Sequence, residues 1–148
     1  MKFTKWISWN ERNNLPDIEY PGVYAIAILK REISNEKYSI IKEISYYGMT
    51  NSIGGLKNRL KQFDNTIKGK DGHGGAKRVR YKFEDYKKLI KHLYVAVRPF
   101  KCDVNSNTVK DLLIMGEVEE YEYICFAEYV KKFGMLPEFN NKKLSPKK

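Results

Sequence analysis

Apolar and polar positions along the chain fall into a few runs. From Gly22 the stretch GVYAIAIL is short, apolar and partly β-branched, the pattern of a buried strand. The polar REISNEK interrupts it, and KYSIIKEISYYG follows with Ile and Tyr among polar residues, so the two runs predict an antiparallel hairpin. In GGLKNRLKQFDNTI, Leu56, Leu60, Phe63 and Ile67 recur at helical spacing, which leaves Lys57, Arg59 and Lys61 on other faces. Residues 68–75, KGKDGHGG, read as a Gly-rich basic loop, and AKRVRYKFEDYKKL as opening on a short helix. HLYVAVRPF alternates as a third strand ended by Pro99, with His92 in a structural place within it.

Thr108, three residues before Asp111, marks a helix start. The chain is helical in character from there to Phe133, with a break expected near Gly116. Gly134 suits a C-cap and Pro137 forbids continuation. Residues 1–20 form an N-terminal arm, in which Trp6, Ile7 and Trp9 are placed to pack back onto a domain spanning 21–141. A basic tail, 142–148, is expected to fray. The predicted architecture is a small mixed α/β domain of the α+β kind: a three-stranded antiparallel sheet flanked by helices.

Composition narrows the chemistry. The 148 residues suffice for one compact domain, and a hydrophobic share of 42% argues against general disorder. Lys and Arg outnumber Asp and Glu by 28 to 18, a net charge of +10 that favours polyanionic partners through counterion release. Charge alone leaves nucleic acid, an anionic membrane surface and plain solubility open. Two distant cysteines, Cys102 and Cys125, argue against a disulfide framework or zinc ribbon. Two histidines make a His-rich metal site a poor fit, whereas a hard divalent ion held by carboxylate and water stays open. With neither an apolar leader nor a spanning segment in the sequence, a soluble, cytoplasmic protein is expected.

Three stretches, in order, resemble the GIY-YIG nuclease family. Gly22-Val23-Tyr24 stands for Gly-Ile-Tyr. Tyr46-Tyr47-Gly48-Met49-Thr50 matches Tyr-Ile-Gly-x-Thr, and Arg59 falls on the following helix, where the family places its arginine. Glu128 precedes Pro137 by nine residues and Asn140 by twelve, like the family's terminal signature. The matches span about residues 21–141. The ordered set is far more specific than GVY or YYG alone.

The resemblance implies a metal-dependent DNA endonuclease. Phosphodiester hydrolysis needs an activated water, a stabiliser of phosphoryl charge and help for the leaving oxygen. Glu128 is the expected ligand of Mg²⁺ (or Mn²⁺), and its neighbours on the helix, Tyr121, Ile124 and Cys125, are mostly apolar. Arg59 offers a planar fork for phosphate oxygens. Tyr24 is the expected general base, which needs nearby positive charge because a free phenol titrates near pKa 10, and Tyr46 is expected to position water or phosphate.

Some family members place a histidine four residues after the arginine, where this chain has Phe63. His73 therefore stands either as a substitute that orients the base or as a solvent-exposed loop residue. Gly22, Gly48, Thr50 and Asn140 are expected to support the site. Lys57, Lys61, Lys68, Lys70, Lys77, Arg78 and Arg80 are expected to line the approach of duplex DNA. The polar segment between the first two strands exceeds that of the family's compact members, so Tyr24 and Tyr46 are expected to be neighbours only if the hairpin extends beyond the core sheet.

Without a separate DNA-reading domain in view, a restriction-type or phage-encoded enzyme is the favoured kind, and cutting both strands would favour a homodimer or higher assembly. The competing readings are a non-catalytic nucleic-acid-binding module of the same fold and a nuclease for RNA or branched DNA.

Overall fold

The computed structural model describes residues 2–141; the basic tail lies outside the described residues. Four antiparallel strands form one sheet: β1 (Ile7–Ser8), β2 (Gly22–Ile28), β3 (Ile44–Thr50) and β4 (Leu93–Pro99), in the order β1-β4-β2-β3. The fold is α+β as expected, but the sheet has a fourth strand. Ile7 and Ser8 pair with Val95 and Tyr94, so the N-terminal arm adds a short edge strand that two residues of alternation were too few to announce.

The three expected helices are present with altered bounds, α1 (Gly55–Ile67), α2 (Gly74–Lys82) and α4 (Val109–Phe133), and a further short helix that was not expected, α3 (Tyr86–Leu89), lies between the last two. The Gly-rich segment is not wholly a loop, since Gly74 and Gly75 already belong to α2. His92 ends a short 3-10 turn before β4 rather than lying in the strand. Helix α4 runs unbroken through Gly116. Thr108 caps it by accepting a hydrogen bond from the Asp111 N–H, and Gly134 closes it in the left-handed conformation.

Alternation along the strands sends side chains to two layers. Tyr24, Ile26, Val95 and Val97 pack with Leu56, Leu60 and Phe63 of α1 and Ala76 and Val79 of α2. Val23, Ala25, Ala27, Tyr47 and Ala96 pack with Val118, Cys125 and Tyr129 of α4. The arm straddles the sheet: Trp6 enters the second layer and Trp9 the first, where its indole N–H donates to Asp64 at 2.8 Å. Asp64, in the interior, also accepts from Tyr86 and pairs with Arg12 and Lys68, and this tetrad ties the arm and α3 to α1.

The connection between β2 and β3 does not lengthen the sheet. Pairing runs from Gly22↔Thr50 to Ile26↔Tyr46 and then jumps to Ala27↔Ile44, leaving Ser45 as an extra residue in β3. Because of this bulge Tyr46 faces the first layer while Ile44 faces the second. Tyr24 and Tyr46 are therefore diagonal neighbours on one face, ring centroids 6.1 Å apart, without any extension of the hairpin.

Candidate active site

The site is built on β2 and β3 where α1 and α2 cross them. Tyr24, fully buried at the middle of β2, lies opposite Gly48. A Cβ at Gly48 would overlap the Tyr24 hydroxyl, so the glycine of the YYG stretch makes room for that phenol. Gly75 does the same for Tyr46, whose ring occupies the space a side chain there would fill. A glycine in the Gly-rich segment thus admits an aromatic ring.

His73 is buried, 2% exposed, and not a solvent-exposed loop residue. It is the N-cap of α2, and its Nδ1 accepts from the Ala76 N–H at 3.2 Å. Its Nε2 lies 2.6 Å from the Tyr24 hydroxyl. With Nδ1 accepting, the neutral ring carries its proton on Nε2, and His73 donates to Tyr24. Burial, reinforced by Arg59 and Arg78, lowers the imidazole to about 3, so the ring stays neutral at physiological pH. Phe63 stands in the sequence position of the family's histidine, and the His73 ring packs edge-on against it at 5.0 Å. A different element supplies the imidazole.

Burial raises both phenols. Tyr24 is pushed well above its ordinary range by desolvation and by Tyr46, against the pull of the Arg59 charge. Tyr46 is raised by burial, while Arg59, Arg78 and the neighbouring Tyr24 hydroxyl pull it down. Tyr46 and Arg59 are half-buried, whereas Tyr24 and His73 lie beneath them. Arg59 gives one guanidinium N–H to Gln62 at 2.9 Å, and its buried Nε has no hydrogen-bond partner among the described residues.

The carboxylate whose charge acts on this group is Glu122, a residue absent from the sequence expectations. Burial pushes it up to about 7, with Arg59 opposing and Glu119 adding. Its charge in turn raises both Tyr24 and Tyr46. The sequence held a signal for it: Val118, Glu122, Cys125 and Tyr129 follow at four, three and four residues, an inward stripe with a carboxylate among apolar residues. Glu128, expected as the metal ligand, is not brought to the site. It is exposed, about 120° around α4 from Glu122, and its charge acts on Tyr47, Tyr121 and Cys125 of the other layer.

The expected supports divide more evenly. Asn140 clamps the free edge of β3, accepting from the Tyr47 N–H and donating to the Tyr47 carbonyl, both at 2.9 Å. Thr50 accepts from the Ser52 N–H at the exit of β3. Gly22 lies tight against β4 and Leu56.

Of the expected DNA-facing cations, Lys57, Lys61 and Lys70 are exposed. Lys68 is paired with Asp64 and Lys77 with Asp71, and Arg80 is held by the Thr66 carbonyl. Arg78 departs from the expectation: it is buried and donates from Nε to the Phe139 carbonyl at 2.8 Å, fixing the chain after Pro137 to α2.

Among the described residues no three His, Cys, Asp or Glu side chains gather into a cation cage, and no helix is long and apolar enough to cross a membrane. The chain matches no family profile, no curated protein and no solved structure.

Proposed function

We propose that the chain is a divalent-metal-dependent endonuclease of the GIY-YIG type that hydrolyses DNA phosphodiester bonds. The observation that carries this reading is the tautomer-fixed His73 donating to Tyr24 beneath Tyr46 and Arg59, with the charge of Glu122 acting on both phenols. The Nδ1 of His73 caps α2, and that leaves the Nε2–H aimed at the phenol. This donor stabilises negative charge on the phenols above it.

His73 donates to Tyr24 at the buried end, and the Tyr46 ring lies beside Tyr24 at the half-exposed end. Negative charge is therefore best accommodated on Tyr46, the half-exposed end. In this reading Tyr46 takes the proton of the attacking water, and Tyr24, too deep to touch substrate, relays the support of His73. Arg59, half-buried at the rim of the site, presents its guanidinium charge to a phosphate oxygen. Glu122 suits a Mg²⁺ or Mn²⁺ ion, since such an ion is satisfied by one or two carboxylates with waters and substrate oxygens. A bound ion would supply charge for the phosphoryl group and the departing oxygen, and its field would favour the ionised phenol.

Incubation with supercoiled plasmid, Mg²⁺ or Mn²⁺, and then EDTA is the test. Metal-dependent nicking that is lost in Glu122→Gln and retained in Glu128→Gln is expected. Absence of nicking with either metal leaves the non-catalytic binding module as the reading. Preferential cleavage of RNA or branched DNA in the same assay would reassign the substrate.

A further inference from the structure

The second layer opens to solvent where the arm meets the segment leading into β3. The Trp6 N–H donates to the Glu36 carbonyl at 3.0 Å and the Asn35 N–H to the Trp6 carbonyl at 2.8 Å, so the two stretches are held side by side. Thr4 is tied to Val97 of β4, donating from its N–H and accepting at its hydroxyl. Beside this junction lies a cavity of about 400 Å³ lined by Lys2, Phe3, Lys5, Lys37, Tyr38 and Tyr121.

The lining is divided between rings and cations. Phe3 stacks on Tyr38 with centroids 4.1 Å apart and lies 5.9 Å from Tyr121. The Tyr38 hydroxyl is engaged with that of Tyr47 at 2.5 Å, so its contribution to the wall is a π-surface rather than a free donor. No carboxylate lines the cavity, and among the described residues Lys2, Lys5 and Lys37 form no ion pair. Unpaired like charges gathered at one opening repel, and a bound anion relieves them.

We propose that this cavity binds a free purine nucleoside diphosphate, with the base against the rings and the phosphates among the three lysines. Lysines hold phosphate as point charges, and three of them balance about the charge that a diphosphate ester carries. An aromatic wall takes a nucleobase by stacking, and the volume lies in the range of small-ligand sites. A monocarboxylate would leave two of the ammonium groups uncompensated, and an acidic peptide side chain brings no π-face. The adjoining cavity shares Tyr121 and is bordered by Glu117 and Glu120, so a nucleic-acid strand continuing that way meets like charge. That favours a short anion over a polymer. The cavity opens on the layer opposite Tyr24 and Tyr46, and the inference stands apart from the nuclease reading.

Calorimetric titration of the full chain with adenosine diphosphate, without added metal, tests it. One saturable site is expected, with adenosine and pyrophosphate each weaker by about tenfold or more, since each keeps only half of the contacts. Lys5→Glu and Lys37→Glu, both at exposed positions, weaken the nucleotide by about tenfold or more and leave the circular dichroism signal unchanged. Lys61→Glu, on α1 in the other layer, binds as the native chain does. Proton resonances of the Phe3, Tyr38 and Tyr121 rings shift on saturation. Lack of saturable binding at millimolar nucleotide, pyrophosphate binding as tightly as the nucleotide, or an affinity unmoved by Lys37→Glu would overturn the proposal. An oligodeoxyadenylate that binds more tightly than the diphosphate and is lost in Lys37→Glu would overturn it in favour of a strand.

Discussion

His73 Nε2 lies 2.6 Å from the Tyr24 hydroxyl although the two residues are 49 positions apart and neither element is in the other's sheet or helix. The contact depends on a cap: the Ala76 N–H takes Nδ1, and that fixes which nitrogen faces the phenol.

The first consequence is a histidine that does not titrate in the ordinary range. An unfolded imidazole takes up its proton near pH 6.5, while burial holds folded His73 to about 3. Between those values the unfolded chain binds more protons. The stability is therefore fully present above about pH 6.5 and is lost progressively as pH falls toward 3. Long-range ¹H–¹⁵N spectra should show the Nε2–H tautomer of His73 unchanged from about pH 8 to 5. The urea midpoint of native protein should fall on acidification more steeply than that of His73→Asn, which keeps a capping side chain.

Gly48 and Tyr24 should prove energetically coupled. Gly48→Ala places a methyl on the Tyr24 hydroxyl and should destabilise by about 1–3 kcal/mol. Tyr24→Phe alone loses the His73 hydrogen bond, about 1 kcal/mol, and relieves only part of the overlap, because the ring carbons Cζ and Cε1 also lie against that methyl. The double variant should be more stable than the sum of the two losses, read as a non-zero coupling in a denaturation cycle.

Metal binding separates the two glutamates. Mg²⁺ or Mn²⁺ should raise the Tm of native protein and of Glu128→Gln, and should leave Glu122→Gln unmoved. This is a readout independent of DNA cleavage. A shift retained in Glu122→Gln and lost in Glu128→Gln would return the ligand role to the exposed residue.

Asn140 can be tested by stability and activity together. Its amide makes both hydrogen bonds to the Tyr47 backbone. Asn140→Ala leaves a strand N–H and carbonyl without those partners and should cost about 1–3 kcal/mol in chemical denaturation. Plasmid nicking should fall further than stability, because Tyr47 holds Tyr46 and Gly48 in register.

Much of the fold was legible because it repeats. The continuous apolar run at 22–28, the alternating run at 93–99 and the 3.6-period run at 55–67 carry the two main strands and α1. The Thr108 and Gly134 caps likewise announced the ends of α4. What escaped was set by single residues acting over distance. A two-residue strand carries no period, and the bulge at Ser45 reverses the facing of Tyr46 without altering composition. Within the site, Tyr24, Tyr46 and Arg59 come together as the spacing implied. The carboxylate was assigned by its distance to Pro137 and Asn140, whereas its position on the buried stripe of α4 would have selected Glu122. The burial of Arg78 was equally hidden, since its partner is a backbone carbonyl 61 residues away.

The straddling arm bears on where the folding unit begins. A fragment started at residue 21, where strand patterning first appears, would lack Trp6 in one layer and Trp9 in the other and would bare the edge of β4. Losing a buried tryptophan side chain costs about 3–5 kcal/mol, and two such losses rival the roughly 5–15 kcal/mol that holds a whole domain together. The sheet and its helices are thus not a self-sufficient core with an appendage. Any truncation or fusion intended to isolate the sheet and its helices must carry the first twenty residues with it.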